Sequence, residues 1–209
     1  MVGTGMSLPP FSVTWDYLCP FARNAHEHLL SGLEAGAAWD VTFTPFSLMQ
    51  NHVPEGEPAI WDAADHATGI KGLLALQAGV VVRDRFPEQF SAVHRGLFAA
   101  RHDQGRNLSE PEVVAEVLEG AGVPAAEVLA QVDDGWPLEA VRLAHESSVK
   151  EHQVFGVPTF VIGDRAVFVR LMTRPDGDGE LARRTVDGVV ALMVDRPEIN
   201  EFKYTSIPR

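Results

Sequence analysis

Cysteine is almost missing: Cys19 is the only one in 209 residues. A single sulfur forbids an internal disulfide, so the fold must stand on its core, and it fits a reducing compartment. Cationic charge is also short, with 17 Lys and Arg against 29 Asp and Glu, for a net charge of −12. That deficit argues against nucleic acid and anionic membrane as main partners, because phosphate binding takes concentrated positive charge. The longest apolar run, around Gly79 to Val82, is far below the ~20 residues that span a bilayer. The first ten residues, MVGTGMSLPP, lack the basic patch and apolar stretch of a secretory signal. A cytoplasmic location is therefore the expectation. No G-x-G-x-x-G opens a helix, and no set of histidines or acids has metal-ligand spacing. His26 and His28 point apart on a helix, His145 and His152 are two turns apart, and Asp62 with His66 reads as a solvated pair.

Apolar residues at 45% and charged residues at 22% are ordinary for a chain that buries a core, and the length suits one domain with an insertion. FSVTWD (11 to 16) alternates Phe11, Val13 and Trp15 with polar residues, the mark of a strand with one face on a core. A helix follows, with Pro20 in its first turn and Gly32 and Gly36 weakening its end. WDVTFTPF (39 to 46) alternates again, so the first 46 residues predict a parallel βαβ unit. From 47 to 152 the pattern turns helical. Helices are predicted over Asp62 to Val82, Pro87 to Arg101, the stretch after a capping box at Ser109 to Glu112, about 124 to 133, and 137 to 152. After Gly156, PTFVIGDRAVFV reads as a hairpin turning at Gly163-Asp164. A last helix, Glu180 to Val194, turns Leu181, Val186, Val189, Val190 and Met193 inward.

The expected architecture is α/β, βαβ-ββα with helices on the two faces of one sheet and an all-helical insertion. Residues 11–46 and 153–196 form its two halves, 47–152 the insertion, and 197–209 a tail. The apolar stretch Gly69 to Val82 is either core or an interface between copies.

Cys19 lies between the first strand and the first helix. Free N–H groups and the dipole at a helix start favour thiolate over thiol, and Arg23 on the same helical face would add positive charge. A small buried hydrophobe is the alternative role for a lone cysteine. Val157-Pro158, directly before a predicted strand, is a candidate cis bond that would present the Val157 backbone to a ligand. In the βαβ-ββα order this loop falls close to Cys19. Met49, Asn51 and Trp61 are the candidates for lining a hydrophobic cleft between sheet and insertion.

D-Y-L-C-P-F-A (16 to 22) and F-G-V-P-T-F-V-I-G (155 to 163), around a helical insert, resemble the active-site and cis-proline motifs of DsbA-like thioredoxin-fold proteins. That superfamily includes kappa-class glutathione transferases and 2-hydroxychromene-2-carboxylate isomerases. GLFAARHDQGRNLSEPEVVAEVLEGAGV (96 to 123) is similar to the group's inserted helices, and R-P-D-G-D-G-E-L with D-R-P-E-I-N-E-F-K is similar to the actinobacterial mycothiol-dependent nitroreductases. The resemblance implies a thioredoxin-like fold with Cys19 as catalytic nucleophile. It also implies a thiol-binding site of Tyr17, Pro20, Phe21, Ala22, Arg23, Val157 and Pro158. Dithiol members carry C-P-x-C, whereas Ala22 stands at the second cysteine's place, and the kappa and isomerase branches have serine at the position of Cys19. Two chemistries fit one thiol. Cys19 exchanges disulfides with an external low-molecular-weight thiol, mycothiol or glutathione, or the pocket delivers such a thiol to an electrophilic or hydrophobic organic substrate. A thiol-binding protein without turnover is the third reading. No tightly bound cofactor is implied, and the resemblance suggests a homodimer.

Overall fold

Four short strands of alternating polarity build one sheet. They are β1 (Phe11–Trp15), β2 (Val41–Pro45), β3 (Thr159–Ile162) and β4 (Arg165–Phe168), in the order β2-β1-β3-β4. The structure is a computed structural model and describes residues 8–62 and 72–206. β1 and β2 are parallel and joined through helix α1 (Pro20–Glu34), while β3 is antiparallel to both β1 and β4. Gly163, at φ +58°, supplies the left-handed first position of the two-residue turn between β3 and β4. This is the α/β thioredoxin-like arrangement.

Register decides which face is covered. Val13 pairs with Phe43 on one side and Phe160 on the other, so these side chains share a face with Phe11. Against that face pack Ala25 and Leu29 of α1 and Val186, Val190 and Met193 of α8 (Gly179–Asp195). Both helices therefore lie on one side, not on two as expected. The other side carries Ser12, Thr42 and Thr44, and Phe46 just past β2 packs on His145 of the helical insertion.

Between β2 and β3 run α2 (Leu48–Asn51), a 3₁₀ turn at Ile60–Asp62, α3 (Leu73–Arg85), α4 (Pro87–His102), α5 (Pro111–Gly120), α6 (Ala125–Asp133) and α7 (Trp136–His152). α3 is the axis of this block: every residue from Leu73 to Val82 is buried. That face is core within the chain, so it is not available as an interface between copies. Of the helix expected from Asp62 to Val82, the described part begins after Gly72, and residues 63–71, with His66, lie outside the described residues. One apolar cluster runs from Trp15, Tyr17 and Cys19 into α3, α4, α5, α6 and α7, so the end of β1 and the helical block share a core.

Two local expectations change. Glu110, not Ser109, is the N-cap of α5 and no side chain caps it. With Pro111 as the first helical residue the frame moves one residue on, and the Ser109 N–H donates instead to Asn107 Oδ1 at 3.2 Å. Leu181 is exposed rather than inward; the buried stripe of α8 is Ala182, Val186, Val190 and Met193.

Gly79 of α3 faces Tyr17, and a Cβ there would lie 2.4 Å from the phenol oxygen. Alanine at a helix interior normally gains up to ~1 kcal/mol over glycine, but overpacking a full core costs about 1–3 kcal/mol. Gly79→Ala is expected to lower the unfolding free energy in a urea titration by about 1–2 kcal/mol. Gly188→Ala in α8, where the new methyl meets nothing within 4 Å, is expected to raise it.

Candidate active site

The site begins with how α1 starts. Cys19 is its N-cap, in extended backbone at φ −96° and ψ 119°, with Pro20 as the first helical residue. The sulfur does the work usually done by a serine oxygen: Sγ accepts from the Ala22 N–H at 3.4 Å. It also donates to the Val157 carbonyl at 3.2 Å, across 138 residues of chain. The Val157–Pro158 peptide bond is cis.

The loop that brings Val157 there is tied on several sides. Asn51 Nδ2 donates to the Phe155 carbonyl at 2.8 Å, and Thr159 Oγ1 to that of Gly156 at 2.7 Å. The Thr159 N–H donates to Thr14 Oγ1 at 2.9 Å, which fastens the loop to β1, and the Val169 N–H donates to the Pro158 carbonyl at 3.1 Å. Cys19 keeps 9% of its surface exposed. Around it Pro20 is exposed and Phe21 half-buried. Phe155 is 70% exposed and packs its ring 5.2 Å from that of Phe168.

Beneath the sulfur lies a buried polar chain. The Thr14 carbonyl can only accept, so His26 donates to it from Nε2 at 3.1 Å. His26 Nδ1 then accepts from His94 Nε2 at 3.0 Å, and His94 Nδ1 accepts the Tyr17 hydroxyl proton at 2.8 Å. All three side chains are fully buried and neutral: burial lowers His26 to about 4, holds His94 well below the usual histidine range, and pushes Tyr17 upward. The Tyr17 carbonyl accepts from His102 Nε2 at 2.9 Å, so the residue two before Cys19 is fixed at both ends.

The expected site residues divide accordingly. Cys19, Pro20, Phe21, Ala22, Val157 and Pro158 come together, Ala22 through its N–H because its side chain is fully buried. Tyr17, expected to bind a thiol, is sealed in the core and supports the turn from below. Arg23, expected to lend charge to the sulfur, donates to Glu27 at 2.9 Å and forks onto both carboxylate oxygens of Asp103. Of the cleft candidates, Trp61 is buried against His145, Met49 is half-buried, and Asn51 serves the Phe155 loop.

Sequence reasoning missed Asp16, Arg170 and His94. Asp16 is buried with its two oxygens on the N–H groups of Leu18 and Leu48, at 2.9 and 2.8 Å. The Arg170 guanidinium lies over the Phe21 ring, 5.3 Å from its centroid. Only the helical spacing of Phe90, His94 and Phe98 hinted at an inward His94.

The DSBA-like thioredoxin domain, as a family, matches residues 12–173. The chain belongs to that family. No curated protein matches it. Among solved structures this DsbA-like chain is similar in fold to a 2-hydroxychromene-2-carboxylate isomerase, at 15% identity and TM-score 0.59, covering 88% of this chain and 97% of that one. It is similar to the cytosolic disulfide reductase DsbM from Pseudomonas aeruginosa with GSH, at 18% identity and TM-score 0.58, covering 88% and 100%. It also resembles MdbA, a thiol-disulfide oxidoreductase from Actinomyces oris, at 21% identity and TM-score 0.58, covering 84% and 79%. Across these relatives the shared feature is the fold.

The helix start does not make the DsbA-like sulfur acidic. Burial pushes the Cys19 thiol up, the N–H groups of Ala22 and Phe21 pull it down, and the Asp16 carboxylate pushes it up again. Burial wins, which overturns the expectation of a thiolate, because the sulfur lies in an apolar cluster and Arg23 is spent on two acids. Alkylation of Cys19 by iodoacetamide is expected to have a pH midpoint above the ~8.5 of free cysteine. A midpoint below it would mean that the N–H groups outweigh burial.

Burial raises the Asp16 carboxyl to about 6 against the pull of its two N–H donors. The folded chain therefore holds this proton more tightly than the unfolded chain. Its contribution to stability is present at low pH and lost as pH rises through about 4 to 6, by up to about 3 kcal/mol. Asp16→Asn is expected to remove that part of the slope from unfolding free energies measured across this window.

Proposed function

We propose that this DsbA-like protein is a monothiol oxidoreductase that exchanges Cys19 with disulfides and is reset by an external low-molecular-weight thiol, in the cytoplasm. The observation that carries the reading is the 3.2 Å contact between Cys19 Sγ and the Val157 carbonyl at the start of α1. It places one sulfur beside a strip of extended backbone against which a cysteinyl group can lie.

The Cys19 thiol loses its proton to solvent. Its thiolate attacks one sulfur of a disulfide R–S–S–R′, forming Cys19–S–S–R and releasing R′–S⁻. A small thiolate R″–S⁻ then attacks the R sulfur, giving R–S–S–R″ and returning the Cys19 thiolate. Electrons balance: R″–S⁻ is oxidised into the new disulfide as the R′ sulfur is reduced to a thiolate. Ala22 leaves no second cysteine in the chain to do this internally.

Cys19 is returned unchanged in each cycle, so the external thiol pool sets the net direction, and the buried sulfur bears on how its mixed disulfide behaves. Strong disulfide donors stabilise the thiolate that leaves, whereas the environment of Cys19 disfavours it. With glutathione or mycothiol as electron source the net reaction is reduction of substrate disulfides, and one structural relative is a cytosolic disulfide reductase described with GSH. The exposed Phe155 ring, beside Phe168, suits a hydrophobic group on the substrate. Ala22 also favours a second reading, in which the pocket holds a small thiol for transfer to an electrophile and Cys19 only positions it.

Cys19→Ser separates the two. In reduction of a mixed disulfide coupled to excess small thiol, the variant is expected to fall to the uncatalysed rate. Retention of full activity would favour transfer, and an inactive wild type would leave thiol binding without turnover.

A further inference from the structure

The geometry points to Arg170 as an anion-recognition residue that selects carboxylate-bearing thiols and disulfides for Cys19. This inference rests on the reading of Cys19 as the thiol-exchanging residue.

The segment after β4 runs along α1 and is fastened to it at helical spacing. Arg170 lies over Phe21, Asn24 Nδ2 donates to the Leu171 carbonyl at 2.8 Å, and His28 Nε2 pairs with the Thr173 carbonyl at 3.2 Å. One residue upstream, the Val169 N–H is bonded to the Pro158 carbonyl. Two independent connections therefore tie the Arg170 segment to residues that flank Cys19 and Val157. One runs through Phe21, two residues after Cys19; the other through Val169 to Pro158, the neighbour of the carbonyl that faces Sγ.

Among the described residues, what Arg170 lacks is an acid. It has no ion pair or hydrogen bond among them, although the chain carries 29 acids to 17 Lys and Arg. Two carboxylates that this segment meets through Arg174 already have another partner. Asp103 and Glu27 pair with Arg23 and lie 3.8 and 3.6 Å from Arg174, and Asp16 is buried on two backbone N–H groups. An aromatic ring holds a guanidinium through its π face and accepts none of its conventional hydrogen bonds, so its five N–H donors remain for a planar anion. A ligand with its sulfur at Cys19 and its backbone along Val157 would set a carboxylate there, in the bidentate pairing that guanidinium favours over ammonium. The ligand class is an anionic cysteinyl thiol or its disulfide, in preference to an uncharged sugar-linked thiol.

The test compares second-order rates of mixed-disulfide formation at Cys19, followed by intact mass. Glutathione disulfide is the anionic probe and hydroxyethyl disulfide the neutral one. Arg170→Gln is expected to slow the reaction with glutathione disulfide by roughly 3- to 10-fold, and that with hydroxyethyl disulfide by less than about twofold. Arg170→Lys is expected to restore part of the difference, and added salt to erode it in wild type. Equal rates in wild type and Arg170→Gln, or equal losses with both probes, would overturn the role of Arg170 and leave thiol exchange standing. No adduct with either probe in wild type would overturn both.

Discussion

The meeting of Cys19 Sγ with the Val157 carbonyl is the constraint on which the rest of the site depends. It needs β3 beside β1, because only that pairing carries residue 157 to the end of the strand that delivers residue 19. The insertion of helices between β2 and β3 separates the two positions in sequence without separating them in space. Thr14 shows how local the joint is: its side chain takes the Thr159 N–H while its carbonyl takes His26, so one residue of β1 holds both the loop and the helix.

The polar chain beneath the site explains why a core can hold two histidines and a tyrosine without loss. Buried polar groups are costly only when unpaired, and here each proton has one acceptor, from Tyr17 through His94 and His26 to a carbonyl that cannot donate. The chain links α4, α1 and β1. Together with His102 on the Tyr17 carbonyl, it anchors the residue two before Cys19. The same burial that makes these groups neutral raises the Cys19 thiol, so the surroundings that fix the nucleophile also restrain its ionisation.

Much of the fold was legible because polarity is written along the chain with the period of each element. Phe11, Val13 and Trp15 announced β1, Gly163-Asp164 the hairpin, and Pro20 the start of α1. Where expectations failed, the cause was the local frame of a helix start in two cases and a distant contact in the third. Leu181 has the right spacing to face inward, yet Asp178 ties its N–H at the first turn and the stripe begins at Ala182. Ser109 has the form of a cap, but Pro111 sets the frame. Arg23 shares a face with Cys19 by helical arithmetic, and nothing in its neighbourhood of sequence foretells Asp103, 80 residues on.

The sequence by itself determined the order of elements, the single sulfur at a helix start and the absence of a second cysteine, because each is a property of residue type and local period. Tertiary structure alone decided that Tyr17 is sealed away and that Arg23 is neutralised. It also decided that Arg170 lies over Phe21 with no acid partner among the described residues, and that burial pushes the Cys19 thiol up. The physical reason is the range of the forces involved. Hydrophobic period acts within a turn or a strand, whereas desolvation and ion pairing depend on which distant segments fill the space around a group.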